Sequence, residues 1–175
     1  MGTAPALAAG TWTLEPATAR AAFAARNFAV KTVDGAIAVT GATVEVDAAG
    51  RPVRLVASLD PASIDTGHPR RDKDLRGRRF LDVAAHPGLE LTATRFVATA
   101  DGWRTDAVLR VHGHDVELPL HGHLPDGVPS GDRVRVTGTA RLDLRAAGIR
   151  VPGFMVGRYV DITVSAHFIR PTSVH

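Results

Sequence analysis

Residues 105–121 read Thr-Asp-Ala-Val-Leu-Arg-Val-His-Gly-His-Asp-Val-Glu-Leu-Pro-Leu-His. Two runs alternate apolar and polar residues on either side of His-Gly-His, which is the pattern of half-buried strands joined by a tight turn. With Gly113-His114 as a two-residue turn, glycine first, a type II′ geometry follows. Val111 then faces Val116, Leu109 faces Leu118 and Ala107 faces Leu120, all on one side. On the other side Arg110 meets Glu117, His112 meets Asp115 and Asp106 meets His121. A slip of one residue would break both sets of matches, because successive side chains of a strand point to opposite faces.

The same alternation extends outward from this hairpin. From Arg133 to Leu144, Val134, Val136, Gly138, Ala140, Leu142 and Leu144 share a face, opposite Arg133, Arg135, Thr137, Thr139, Arg141 and Asp143. Val160, Ile162, Val164, Ala166 and Phe168 repeat it near the C-terminus. Upstream, Thr11–Glu15, Arg20–Asn27, Ile37–Val46, Val53–Leu59 and the segment opening with Leu89, Leu91 and Ala93 read as strands. Ile37 and Val39 differ in parity from Val44 and Val46, which predicts a bulge near Gly41. Only Pro69–Gly77 has helical character, with a turn expected around Ala29–Val33. The sum is an all-β chain: one antiparallel, eight-stranded, lipocalin-like barrel with a short inserted helix, closed because closure removes exposed edges. Residues 11–170 form the barrel, 1–10 a flexible lead-in and 171–175 a tail.

Bulk properties narrow the function classes. The 175 residues fit one domain, and 45% hydrophobic with 22% charged residues is ordinary for a globular protein. Without cysteine there is no disulfide framework and no thiolate ligand or nucleophile. The first ten residues lack a cationic start and a long apolar run, and no stretch has the ~20 apolar residues that span a bilayer. A cytoplasmic location is therefore expected of this chain, or a periplasmic or secreted one if a leader has been removed. The pI of 10.1 overstates basicity. The formal charge is +3, from 21 cations against 18 anions, and arginine, which never titrates in this range, pulls the pI upward. Charge alone thus gives little support to nucleic acid as a partner.

The central stretch carries a specific pattern: Ser63-Ile64-Asp65-Thr66-Gly67, then Arg71-Asp72, Leu75-Arg76, Phe80-Leu81-Asp82-Val83 and Pro87. In order and spacing it resembles the YceI family. Trp12 through Pro16, Phe23 and Arg26, Val33-Asp34-Gly35, Gly41, and the Leu109–Leu120 hairpin extend the resemblance over nearly the whole chain. The resemblance implies an elongated antiparallel barrel, often a homodimer, holding a polyisoprenoid, an isoprenoid quinone or a fatty-acyl-like lipid, with isoprenoid transport or storage and stress response as the associated roles. The chain departs from the family at Asn27, where members often carry histidine, and at Leu144–Gly148, where they usually show Arg-x-Asp-Phe-Gly.

A lipid site can also be argued from residue size. An eight-stranded barrel holds a ligand only if its inward side chains leave room. The inward set Ala21, Phe23, Ala25 and Asn27 is small, and Ala57, Ala93, Ala107, Gly138, Ala140 and Ala166 add to it. In a packed core such residues leave costly cavities, unless Phe80, Phe154 and Phe168 fill the space. The candidate interior residues are Phe23, Ala25, Asn27, Phe80, Leu91, Ala107, Leu109, Val111, Leu118, Ala140, Phe154 and Phe168. No cofactor other than a bound long-chain lipid is expected.

Competing chemistry has less behind it. His112, His114, His121 and His123 cluster in sequence, but the register points three outward and puts His114 in the turn. They read as solvent-facing partners of aspartates rather than metal ligands, and His68 and His86, which bracket the helix, as structural or exposed. Arg70–Arg79 holds six cations against two anions but lacks interleaved aromatics for stacking bases. It reads as a solvated helix, with contact to a prenyl phosphate headgroup as the functional alternative. There is no Gly-x-Ser-x-Gly elbow, phosphate loop or paired carboxylate on one face. The expected function is therefore a non-catalytic lipid carrier. The alternative is a cyclase or isomerase acting on an enclosed polyketide or terpenoid.

Overall fold

The computed structural model describes residues 5–15, 19–26, 32–149 and 158–171. Its strands are β1 (Gly10–Leu14), β2 (Arg20–Arg26), β3 (Thr32–Val46), β4 (Pro52–Asp65), β5 (Leu89–Ala93), β6 (Phe96–Ala98), β7 (Gly102–Val111), β8 (His114–His123), β9 (Arg133–Asp143) and β10 (Tyr159–Ile169), with helix α1 (Pro69–Arg76) between β4 and β5. All pairings are antiparallel. The order β10-β2-β3-β4-β5-β7-β8-β9 returns from β9 to β10, a closed ring of eight positions. Two positions are shared by broken strands. β2 and β1 divide the gap between β10 and β3, and β5 and β6 both pair with β7.

The long strand β3 turns a corner by means of irregular register. Val39 pairs with Leu59 and Gly41 with Ser58, leaving Thr40 as the extra residue of a bulge. This is the parity change that the apolar pattern predicts near Gly41: Val39 lies inward before it, and Ala42 and Val46 lie inward after it. A larger shift separates Ala36↔Asp65 from Ala38↔Asp60. There the Ser63 hydroxyl accepts the Ala38 N–H at 2.8 Å and donates to the Asp60 carbonyl at 2.6 Å, so the interrupted ladder leaves no orphan at that point. Of the turn expected at Ala29–Val33, Val33 instead belongs to β3, and residues 29–31 lie outside the described residues.

The β7–β8 hairpin forms, but its turn is one residue earlier than expected. Val111 pairs with His114, Leu109 with Val116 and Ala107 with Leu118. The central residues are His112 (φ 52) and Gly113 (φ 75), both left-handed, which is the type I′ arrangement. Moving the turn by one residue shifts each cross-strand partner by two, so every side chain keeps its face while its opposite number changes. Arg110 therefore meets Asp115 (3.5 Å) instead of Glu117, and His121 lies opposite Arg104. The Nε2 of His121 sits 3.5 Å from Asp101 rather than beside Asp106. The alternation fixes the face but is blind to shifts of two. Both I′ and II′ turns suit the twist of the flanking strands, so the residues at the two central positions, His112 and Gly113, make the turn I′ here.

Helix α1 is fastened to β4 by the residues of the Ser-Ile-Asp-Thr-Gly…Arg-Asp…Leu-Arg pattern. The His68 side chain caps its N-terminus, and Pro69 occupies the first turn, where its missing N–H costs nothing. Asp72 is buried and accepts both the backbone N–H (2.9 Å) and the hydroxyl (2.5 Å) of Thr66. Arg71 donates to the Thr66 hydroxyl and carbonyl, and Arg76 to the carbonyls of Ala62 and Ile64. Within the first ten residues, where flexibility is expected, Leu7 is docked instead. It is buried, and its N–H donates to the Gly50 carbonyl at 3.1 Å.

Candidate functional site: an apolar chamber through the barrel

The inward faces do not meet in one solid core. Buried residues fall into two clusters, one around Trp12, Leu14, Val39, Val46, Leu124, Val134 and Phe168, the other around Leu89, Leu109, Val111, Val116, Leu118, Leu142 and Leu144. Leu59, Leu91 and Ile162 pack against both. A cavity of about 340 Å³ is lined from each cluster, from Leu7, Trp12, Leu124 and Val134 at one end to Phe80, Leu81, Val111 and Ile149 at the other. That is within the range of sites that enclose small molecules.

Among the described residues, three side chains in the wall carry a polar group: Trp12, Trp103 and Thr105. The Trp12 indole donates to the Ala8 carbonyl, and the Thr105 hydroxyl to the Arg95 carbonyl. The Trp103 Nε1 is buried without a partner. Among the described residues the wall contains no ionisable side chain, which suits an uncharged enclosed group.

The room comes from small residues in lateral rows. Trp103 pairs with Gly122, Gly122 with Gly138, Gly138 with Val164 and Val164 with Ala21. A Cβ added at Gly122 would meet nothing closer than 4.0 Å, and one at Gly138 nothing closer than 3.7 Å. Neither glycine is forced by backbone crowding, so their missing side chains are simply open width. Gly35 has a different reason: it lies opposite Phe23, and a Cβ there would fall 2.2 Å from the Phe23 ring.

Of the expected interior residues, Phe23, Ala25, Phe80, Leu91, Leu109, Val111, Leu118, Ala140 and Phe168 all line the chamber. Ala107 does not. It is completely buried on the inward face and pairs with Leu118, but it is not among the residues that line the cavity. Ala93 is likewise buried without lining it. Asn27 and Phe154 lie outside the described residues. Strand parity could have found Trp12, Val39 and Gly122, which also line the chamber. Leu7 and Ile149 carry no such signal, since they enter from non-strand segments.

The histidines gather differently from their expected positions. His112 occupies the turn and His114 begins β8. The His112 ring lies 5.7 Å from His86 and 6.4 Å from His114, centroid to centroid, and its Nε2 sits 3.3 Å from the Arg78 carbonyl. Gly148 is held to glycine here by its φ of +70° and by the His114 ring, 2.6 Å from where a Cβ would stand. Among the described residues no group of three or more His, Asp or Glu side chains is placed to hold a metal ion.

A closed antiparallel barrel around an uncharged chamber defines the lipocalin-like class of enclosing proteins. The YceI-like domain model matches residues 12–168, and the chain belongs to that family. A UPF0312 protein of Vibrio cholerae is 30% identical over 115 residues, 62% of this chain and 58% of the relative. One from Pseudomonas aeruginosa is 27% identical over 120 residues, 67% and 63% respectively. The matched segment thus spans about three-fifths of these relatives. Burkholderia cenocepacia BcnA superposes with a TM-score of 0.70 at 18% identity, covering 88% of this chain and 98% of that one. A structure described as a polyisoprenoid binding domain from Saccharophagus degradans gives 0.65 at 12% identity, covering 91% and 98%. At these identities the likeness establishes the fold.

Proposed function

We propose that this protein is a carrier that encloses the apolar part of a long lipid, a polyisoprenoid, isoprenoid quinone or fatty-acyl-like chain, and releases it unchanged. The observation that carries the reading is the chamber itself, about 340 Å³ of uncharged space lined from both core clusters. Left vacant, the chamber forfeits the contacts that its apolar lining would make with an occupant. A lipid tail offsets this by supplying the missing contacts, and a water needs polar partners that this wall withholds. The polyisoprenoid binding described for the Saccharophagus domain supports the same class of cargo.

The described wall supplies one hydroxyl and two indoles, with no acid–base pair, which favours carriage over transformation of the cargo. The test is mass spectrometry of an organic extract from purified protein, followed by reloading of the stripped protein with prenyl and acyl probes. A stoichiometric long-chain lipid, or saturable uptake recovered unmodified, is expected. Empty extracts together with no uptake of either probe would sink the carrier reading. Conversion of the probe would assign the chamber to an enzyme instead.

A further inference from the structure

The segment 69–86, α1 and the turns after it, has two unlike faces. Leu75, Phe80 and Leu81 line the chamber, and Phe80 and Leu81 are only half-buried, so this segment stands between cavity and solvent at that end of the barrel. Its other face is basic. Residues 69–86 hold six cations (Arg70, Arg71, Lys73, Arg76, Arg78, Arg79) against three carboxylates (Asp72, Asp74, Asp82), a net +3. The whole chain also nets +3, so everything outside the segment sums to zero.

The concentration of these cations sets them apart. Elsewhere six arginines sit in ion pairs: Arg110–Asp115, Arg133–Glu15, Arg135–Asp126, Arg141–Asp161, Arg158–Asp143 and Arg170–Asp132. Arg20, Arg51, Arg54, Arg95, Arg104 and Arg145 are exposed without an ion pair among the described residues, but they are spread over the chain from β2 to the turn after β9. Arg71 and Arg76 are engaged by backbone carbonyls. Arg70, Lys73, Arg78 and Arg79 are exposed and make no ion pair among the described residues. One of the three carboxylates, Asp72, is buried and bound to Thr66, which removes it from the surface balance.

We propose that this basic cap docks on an anionic lipid bilayer, placing the chamber end bounded by Phe80 and Leu81 against the surface that supplies or receives the lipid. This rests on the carrier reading of the chamber. Clustered cations are drawn to the negative potential of such a surface, and short-range screening makes the attraction steep in salt. The same segment is both chamber wall and cationic face, so docking brings cargo and entrance together. A nucleic acid would use the charge but leave the Leu75–Phe80–Leu81 face without a role, and no aromatics are interleaved to stack bases.

The test is flotation of the full chain with phosphatidylcholine vesicles with and without phosphatidylglycerol. Binding only to the anionic vesicles is expected, and its loss near 1 M salt, where the screening length falls to ~3 Å. The combined variant Arg70→Gln, Lys73→Gln, Arg78→Gln, Arg79→Gln should lose partition roughly 10²–10³-fold, while Asp74→Asn should raise it. Neutralising the paired Arg133 and Arg135 should leave it unchanged. Equal binding to both vesicle types, no wild-type binding at low salt, an unaffected fourfold variant, or tighter binding to a short DNA duplex than to the anionic vesicles would each overturn the proposal. Uptake of a prenyl probe from dilute solution, without vesicles, separates the two readings. Normal uptake with failed flotation rejects the docking alone, and failed uptake with salt-sensitive flotation rejects the carriage.

Discussion

Gly113 holds the second central position of the β7–β8 turn at φ +75°, behind His112 at φ +52°. A β-branched residue there loses the left-handed conformation that the turn demands, so Gly113→Val is expected to cost about 1–2 kcal/mol. Gly113→Asn should cost less, because asparagine tolerates that region. Urea midpoints of the two variants check both, and equal stabilities would mean that the turn is not I′. Two small inward residues make a sharper comparison. Ala107 is fully buried and does not reach the chamber, so Ala107→Phe overpacks and should cost about 1–3 kcal/mol. Gly138 opens onto the chamber, so Gly138→Leu gains buried apolar area at roughly 25 cal/mol per Å² and should hold or raise stability. It should also narrow the chamber and reduce uptake of a methyl-branched prenyl probe more than that of a straight acyl one. Parity alone places both residues inward. What tells them apart is whether they line the chamber, and parity carries no such information.

Among the elements, α1 depends least on its own chain. Eight residues are too few for a stable isolated helix, so its place is set by the Thr66–Asp72 and Arg76–β4 bonds. Asp72→Ala leaves two Thr66 donors without their acceptor and should cost about 1–3 kcal/mol. Hydrogen exchange should then quicken over residues 66–83 and stay unchanged in β9 and β10. Uniform loss of protection would show that the cap unfolds only with the barrel. The residues that make this tie stand in the sequence as part of the pattern that resembles the YceI family, but charge and composition alone read 70–79 as a solvated helix and gave no sign that Asp72 is buried. The hairpin partners are hidden for another reason: hydrophobic alternation is satisfied equally by registers two residues apart, and only turn geometry separates them.

For the molecule as a whole, the cost of an unfilled chamber links cargo to stability. Ligand that binds only the folded state stabilises by RT ln(1 + [L]/Kd), about 2.7 kcal/mol at a hundredfold excess over Kd. Thermal unfolding of stripped and reloaded protein should therefore differ by several degrees, in proportion to probe concentration. A melting temperature indifferent to probe would show that the chamber closes when empty or never fills.

The sequence by itself determined most of the strands, the bulge at β3, the inward faces of β7 to β10 and the helix before β5, because these depend on periodicities of two and on local caps and turns. It missed the short β6 and the extensions of β3 back to Thr32 and of β4 on to Asp65. It also held the +3 of residues 69–86, but not its meaning. Three things needed the tertiary structure. One is the turn position in β7–β8, a choice between registers with identical faces. Another is the split core, which depends on whether rows such as Trp103–Gly122–Gly138–Val164 coincide across four strands. The last is which arginines are paired at all, since an ion pair joins residues as far apart as Glu15 and Arg133. Each is a relation between distant segments, and closing the barrel is what brings those segments together.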